Sequence, residues 1–160
     1  MKGVHQILLC GFMGCGKTTI GRLVAQELKR PFVDSDDLIA QQAGKSVPQI
    51  FAEEGEAGFR ARECAVIAEA SKRPGIVLSV GGGAVLSAQN RRALRQNAAV
   101  FWLCRPLEKL PLEDRPLSSS PKALEALYQE RMPLYRSICD FSVENDQSLQ
   151  QTVQQVLSLF

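Results

Sequence analysis

Short runs of consecutive apolar residues alternate along this chain with segments whose apolar positions recur every three or four residues. Residues 6–11 (QILLCG), 31–34 (PFVD), 76–80 (IVLSV), 98–104 (AAVFWLC) and 140–143 read as buried strands. Between them, Ile20, Leu23, Val24 and Leu28 share one face of a helix over 17–30. A second helix over 36–43 is stopped by Gly44, and Ser46 can cap a third that runs to about residue 54. Phe59, Val66, Ile67 and Ala70 give the next helix its apolar stripe, which ends before Pro74 and Gly75. Residues 87–96 read as a helix with Asn97 as a left-handed stop, and 123–131 as another. Residues 106–121 hold half of the eight prolines and three serines in a row, the composition of a loop. The last helix aligns Leu149, Val153, Val156, Leu157 and Phe160, with Ser148 and Gln151 spaced as a capping box. Strands buried on both faces and alternating with helices predict an α/β fold: a parallel sheet between two helical layers, with right-handed crossovers.

At 160 residues the chain fits one domain, 1–160, large enough to bury a core without staples. A net charge of +2, with no polybasic run or basic stripe, argues against nucleic acid or an anionic membrane as partner. The five cysteines are scattered and never spaced as CxxC, so they read as reduced thiols, with Cys10 and Cys104 inside apolar strands. No apolar run reaches the roughly 20 residues of a membrane helix, and the N-terminus lacks the apolar core of a signal peptide. The expectation is a cytoplasmic protein and a monomer. His5, the one histidine, reads as a surface residue ahead of the first strand, so any general base must be a carboxylate.

Candidate chemistry starts at Gly11-Phe-Met-Gly14-Cys15-Gly16-Lys17-Thr18, a G-x-x-x-x-G-K-[ST] phosphate loop between a predicted strand and a predicted helix. The backbone of Gly11, Gly14, Cys15, Gly16, Lys17, Thr18 and Thr19 is placed to cradle the phosphates of ATP at a helix N-terminus. Lys17 can reach the β- and γ-phosphates, and the Thr18 hydroxyl can face Mg²⁺. No Asn-Lys-x-Asp element that would read guanine is present. Asp34 and Asp36 close the second strand, where strand alternation would send both carboxylates to the ligand edge of the sheet. One can support Mg²⁺ and the other accept the proton of an attacking hydroxyl; either can instead be a helix cap.

With Phe59-Arg60, Gly81-Gly82-Gly83, Arg115-Pro116-Leu117 and Arg131-x-Pro133-Leu134-Tyr135 added in the same order, the chain resembles the shikimate kinase family. The resemblance implies a P-loop kinase fold with five parallel strands in the order 2-3-1-4-5. It also implies ATP-dependent phosphorylation of the 3-hydroxyl of shikimate, a step toward aromatic amino acids. Asp36 would bind the acceptor hydroxyl and act as its base. Arg60 and Arg131 would grip the carboxylate, and the Gly81–Gly83 backbone would approach the ring. Arg115 would neutralise charge from a lid, and Asp34 would support Mg²⁺ beside Thr18. The acceptor region would span about 34–62 and the lid about 106–121.

Alone, Arg60 and Arg131 read as ordinary helix-end charges, and Arg62, Arg91, Arg92 and Arg95 as solvated ones. Two features depart from the family pattern. The segment between the fourth strand and Arg115 is short, with Lys109 its only cation after Arg105, which predicts a stunted lid. Cys15 stands where a small unreactive residue is usual, which raises modification of that thiol as a block to ATP binding. A gluconate-type sugar-acid kinase and a non-catalytic nucleotide-binding relative remain as alternatives.

Overall fold

The computed structural model describes residues 5–110 and 120–160. Five parallel strands, β1 (Gln6–Cys10), β2 (Phe32–Asp34), β3 (Val77–Ser79), β4 (Ala98–Cys104) and β5 (Phe141–Glu144), form one sheet in the order β2-β3-β1-β4-β5. Helices α1 (Lys17–Leu28), α2 (Ser35–Ala43), α3 (Val47–Ala70), α4 (Ala88–Gln96), α5 (Pro121–Ile138) and α6 (Leu149–Leu159) fill the intervals. None of the described helices is long and apolar enough to cross a membrane.

Alternation along β1 divides the core into two halves. Ile7 and Leu9 pack with Ile20 and Val24 of α1 and Val153 and Val156 of α6. Leu8 and Cys10 face the other way, onto Ile67 of α3, Leu94 of α4 and Tyr135 of α5. The central strand therefore feeds both layers, as its unbroken apolar run requires. A third, smaller cluster joins Ile39 of α2 to Ile50, Phe59 and Val66 of α3.

Several elements differ from expectation. The two helices expected around residue 54 form one element, α3, bent at Gly55 with φ 73° and ψ −179°. Only glycine adopts that conformation readily, so the bend is written into the sequence. Arg62 grips Glu54 across the bend with two hydrogen bonds of 2.9 and 3.0 Å, and Lys45 pairs with the same carboxylate at 2.8 Å. Arg62 is thus a staple rather than a solvated charge. Arg91 also binds inward, donating to the carbonyl oxygens of Val85 and Leu86.

Helix α5 runs seven residues past its expected end at Arg131 and passes through Pro133. A proline inside a helix costs about 3 kcal/mol. Burying Tyr135 (1% exposed) and Ile138 (3%) returns roughly 1.5–3 kcal/mol each, so packing carries the helix through. Asn97 ends α4 at φ −141°, outside the left-handed region, because the chain passes directly into β4. Leu149, assigned to the buried face of α6, is 47% exposed in that helix's first turn. The expected loop over 106–121 opens with a short 3-10 turn, Leu107–Lys109, and its residues 111–119 lie outside the described part.

Candidate active site

Each of α2 to α6 begins with a side chain accepting a hydrogen bond from its first turn: Asp34, Ser46, Ser87, Ser120 and Ser148 in turn. Helix α1 begins differently. Its N-cap is Gly16, at φ 98°, with no side-chain cap and no acidic residue in the first turn. The free N–H groups and the positive end of the helix are left to an outside anion, as the phosphate loop predicts. Lys17 lies folded over this loop, 9% exposed, its ammonium donating to the carbonyl oxygens of Gly11 (2.8 Å) and Phe12 (3.1 Å). A cleft of roughly 460 Å³ opens beside it and reaches Thr18, Asp34, Asp36 and Gly82.

Asp34 does two things at once. Its Oδ1 caps α2, accepting from the backbone of Asp36 (2.9 Å) and Asp37 (3.3 Å), while its Oδ2 accepts from the Thr18 hydroxyl at 2.9 Å. The cap and the site are the same residue. Asp36 is not a strand residue, since β2 ends at Asp34; it lies in the first turn of α2. Asp34 reaches the cleft as the last residue of β2 and the cap of α2, and Asp36 from the first helical turn rather than by strand alternation. Asp36 Oδ1 is buried without a hydrogen-bond partner among the described residues. Burial first, and then the neighbouring Asp34 charge, push its pKa up to about 6 against the pull of Lys17 and Arg60.

The glycine triplet serves this carboxylate and two arginines. A Cβ on Gly81 would lie 2.8 Å from Asp36 Oδ1, one on Gly82 would lie 3.4 Å from an Arg131 nitrogen, and one on Gly83 would overlap the Arg60 guanidinium. The side-chain volume missing at 81 and 83 is filled by Asp36 and Arg60, while at 82 the nearest atom is the Met13 backbone nitrogen at 3.1 Å, with Arg131 in ordinary contact beyond it. Beyond the expectation that a Cβ here obstructs a ligand ring, one at 81 or 83 would first displace the Asp36 carboxylate or the Arg60 guanidinium.

Arg60 is held by Glu63 at 2.8 Å, and Glu63 is itself 1% exposed, with burial pushing its carboxyl upward. Arg131 is 2% exposed, its Nε has no partner among the described residues, and desolvation pulls its pKa down. Tyr135, one turn along α5, donates its hydroxyl to the Gly82 carbonyl and fixes the triplet against Arg131. Arg60 also meets Glu56 at 3.4 Å, so the pocket is not simply positive; what it offers an anion is two planar guanidinium groups, one of them with an unpartnered buried nitrogen.

The structure brings Gly14, Gly16, Lys17, Thr18, Thr19, Asp34, Asp36, Gly81 and Gly82 together on the wall of the cleft, with Arg60 and Arg131 placed against the triplet. Gly11 sits behind the loop, where a Cβ would meet the Leu103 carbonyl and the Cys15 thiol. Cys15 does not line the cleft: its N–H donates to the Phe12 carbonyl at 3.2 Å, and its thiol lies 3.8 Å from the Lys17 ammonium. Its side chain is 1% exposed and packs in the α1/α6 core, so it lacks the accessibility that modification requires. His5 is half-buried rather than a surface residue. Arg115 lies outside the described residues.

Sequence reasoning missed three contributors. Glu63 reads as one more helical charge, and Arg105 as the end of a strand. Asn145, just after β5, donates from Nδ2 to the Cys15 carbonyl at 2.7 Å and accepts from the Thr152 hydroxyl at 2.9 Å. Its amide also fills the space beside Gly16. The only signal for it is its position at the ligand edge of the sheet. Asn145→Ala is expected to destabilise the fold by about 1–3 kcal/mol, since it strands the buried Cys15 carbonyl and leaves the Thr152 hydroxyl only its longer bond to the Ser148 carbonyl. It should also raise KM for ATP several-fold while leaving acceptor binding alone. Melting curves and steady-state kinetics check both, and an unchanged KM for ATP would remove Asn145 from the loop's support.

A family model described as shikimate kinase matches residues 13–160. A shikimate kinase of Psychrobacter cryohalolentis is 48% identical over 146 residues, covering 86% of this chain and 78% of that protein. The structure of a shikimate kinase from Acinetobacter baumannii, described in complex with shikimate, superposes with a TM-score of 0.94 at 39% identity, covering 99% of this chain and 93% of that one. A gluconokinase from Sinorhizobium meliloti superposes at 0.59 with 17% identity, a likeness of fold alone.

Proposed function

The chain belongs to the shikimate kinase family, and on that premise we propose that it transfers the γ-phosphoryl group of ATP to the 3-hydroxyl of shikimate. One observation carries the reading: the unpartnered Asp36 carboxylate lies between the uncapped N-terminus of α1 and the paired guanidinium groups of Arg60 and Arg131. That order places a base between a phosphate site and a carboxylate site. Shikimate offers both a carboxylate and a ring hydroxyl to span the gap.

In this mechanism Arg60 and Arg131 hold the shikimate carboxylate, and the Gly81–Gly83 backbone sets the ring's height. Asp36 accepts the proton of the 3-hydroxyl as that oxygen attacks the γ-phosphorus in line with the departing ADP. Lys17 exchanges its loop carbonyls for phosphate oxygens, and the N–H groups of Gly14, Gly16, Lys17, Thr18 and Thr19 surround the phosphate chain. Arg115, on a lid over about 106–121, adds positive charge to the transferring group and excludes water.

The residues fit Mg²⁺. Thr18 and Asp34 present a hydroxyl and a carboxylate 2.9 Å apart at the cleft. Mg²⁺ in phosphate sites needs only one or two protein ligands, because phosphate and water complete its shell. Bound there, Mg²⁺ would neutralise charge on the β- and γ-phosphates. The enzyme is taken to act as a monomer in the cytoplasm.

A coupled assay of ADP release with shikimate, gluconate, quinate and no acceptor tests the function. Release that depends on shikimate is expected. Release with gluconate instead would favour the sugar-acid kinase alternative, and ATP binding without release for any acceptor would favour a non-catalytic relative.

Gly83→Ala is expected to raise KM for shikimate by about 10–100-fold with KM for ATP nearly unchanged, because the new methyl must push the Arg60 guanidinium off its place. Equal increases in both values would show that the triplet shapes the whole cleft rather than the acceptor end.

A further inference from the structure

Among the described residues, the cleft is lined by two cationic side chains, Lys17 and Arg105. Lys17 belongs to the phosphate loop; nothing so far accounts for Arg105. It follows β4 directly, and its Nη1 donates to the Gly14 carbonyl of the phosphate loop across a long 3.3 Å contact. Its Nε is buried without a partner among the described residues. A guanidinium with one weak neutral acceptor and one empty donor can exchange both for a phosphate at small cost.

Strand order says which substrate Arg105 faces. Asp34, Asp36 and the Gly81–Gly83 triplet follow β2 and β3, on one side of the central strand, whereas Arg105 follows β4, on the other. The phosphate loop lies between them at the end of β1. Arg105 therefore faces the part of the cleft that the acceptor does not use. The short segment leading to Arg115 holds one other cation, Lys109, which is exposed and does not line the cleft.

Resting on the reading that this cleft takes ATP, we propose that Arg105 is a nucleotide-binding residue that clamps the phosphate chain of ATP from the β4 side of the phosphate loop. The contact is to phosphates that remain on ADP, so it holds product as well as substrate.

Titration of the full chain and of its Arg105→Ala and Arg105→Lys variants with ATP, ADP, adenosine and shikimate, at fixed ionic strength, tests this. Arg105→Ala should weaken ATP and ADP by about tenfold and leave adenosine and shikimate unchanged. Arg105→Lys, which keeps the charge but loses the fork, should fall in between. The salt dependence of ATP binding should be shallower in Arg105→Ala. Unchanged ATP affinity in Arg105→Ala overturns the proposal, as does an equal loss for adenosine, which would place the contact on base or ribose. A parallel loss of shikimate binding also overturns it, by making Arg105 a support of the whole cleft. Failure of the unsubstituted chain to bind ATP would instead overturn the functional reading on which the proposal rests.

Discussion

Asp36→Asn is expected to lower turnover by about 10²–10⁴-fold while making the protein more stable at neutral pH. The two effects share one cause. Asp36 is held where its charge is costly: burial and the Asp34 carboxylate push its pKa up to about 6, with Oδ1 unpartnered. That shift makes it a good base near neutrality and a poor contributor to folding. A rise from 3.8 to about 6 corresponds to roughly 3 kcal/mol at most, and partial solvent access reduces that to about 1–3 kcal/mol. Between those values the native state binds more protons than the unfolded chain, so the charge cost applies fully above about pH 6 and fades as pH falls toward 4. The Asn variant should therefore melt higher than the parent at pH 7.5, with the gap closing below pH 4.5. In the parent, kcat/KM for shikimate should fall on the acid side with a limb near pH 6, and ATP affinity should be nearly equal in both proteins. Turnover within tenfold of the parent would remove Asp36 as the base. A lower melting point at pH 7.5 would remove the stored electrostatic cost.

What the sequence made legible follows the range of the forces involved. Local chemistry was readable. The phosphate loop, the Ser46 and Ser148 caps and the Gly44 stop all depend on residues within one turn of each other. The strand order came from the resemblance, not from the apolar pattern, which says only that strands are buried. Long-range balances were not readable. Pro133 marks a helix end until Tyr135 and Ile138 are known to be buried against the sheet. The triplet at 81–83 reads as a loose turn until the atoms beside its missing side chains are known to belong to Asp36, Arg131 and Arg60. Asn145 reaches a carbonyl 130 positions away, and no periodicity marks such a contact. Cys15 shows the opposite error. Its place at a helix start suggested a reactive thiol, but the loop buries the whole residue, with its N–H on the Phe12 carbonyl and its side chain in the core.

Lys17→Met is expected to weaken ATP binding by about 100-fold, to reduce turnover by a further 10²–10³-fold, and, unlike Asp36→Asn, to lower stability. The ammonium donates to the carbonyl oxygens of Gly11 and Phe12 from a position 9% exposed to solvent. It thereby holds the phosphate loop in its wrapped form before any nucleotide arrives. Methionine keeps the stem and its packing but leaves both carbonyls without that donor, at a cost of about 1–3 kcal/mol. With nucleotide bound, the missing charge is felt most where negative charge spreads over the transferring group, so the loss extends beyond affinity into turnover. Shikimate binding should survive, since Arg60, Arg131 and the glycine triplet do not depend on this lysine. A Lys17→Met protein that still binds ATP within fivefold of the parent would show that the α1 N-terminus holds the phosphates by backbone alone, leaving lysine to the chemical step. If shikimate affinity fell as well, the loop and the acceptor pocket would be one cooperative unit, and the division of the cleft at β1 would be wrong.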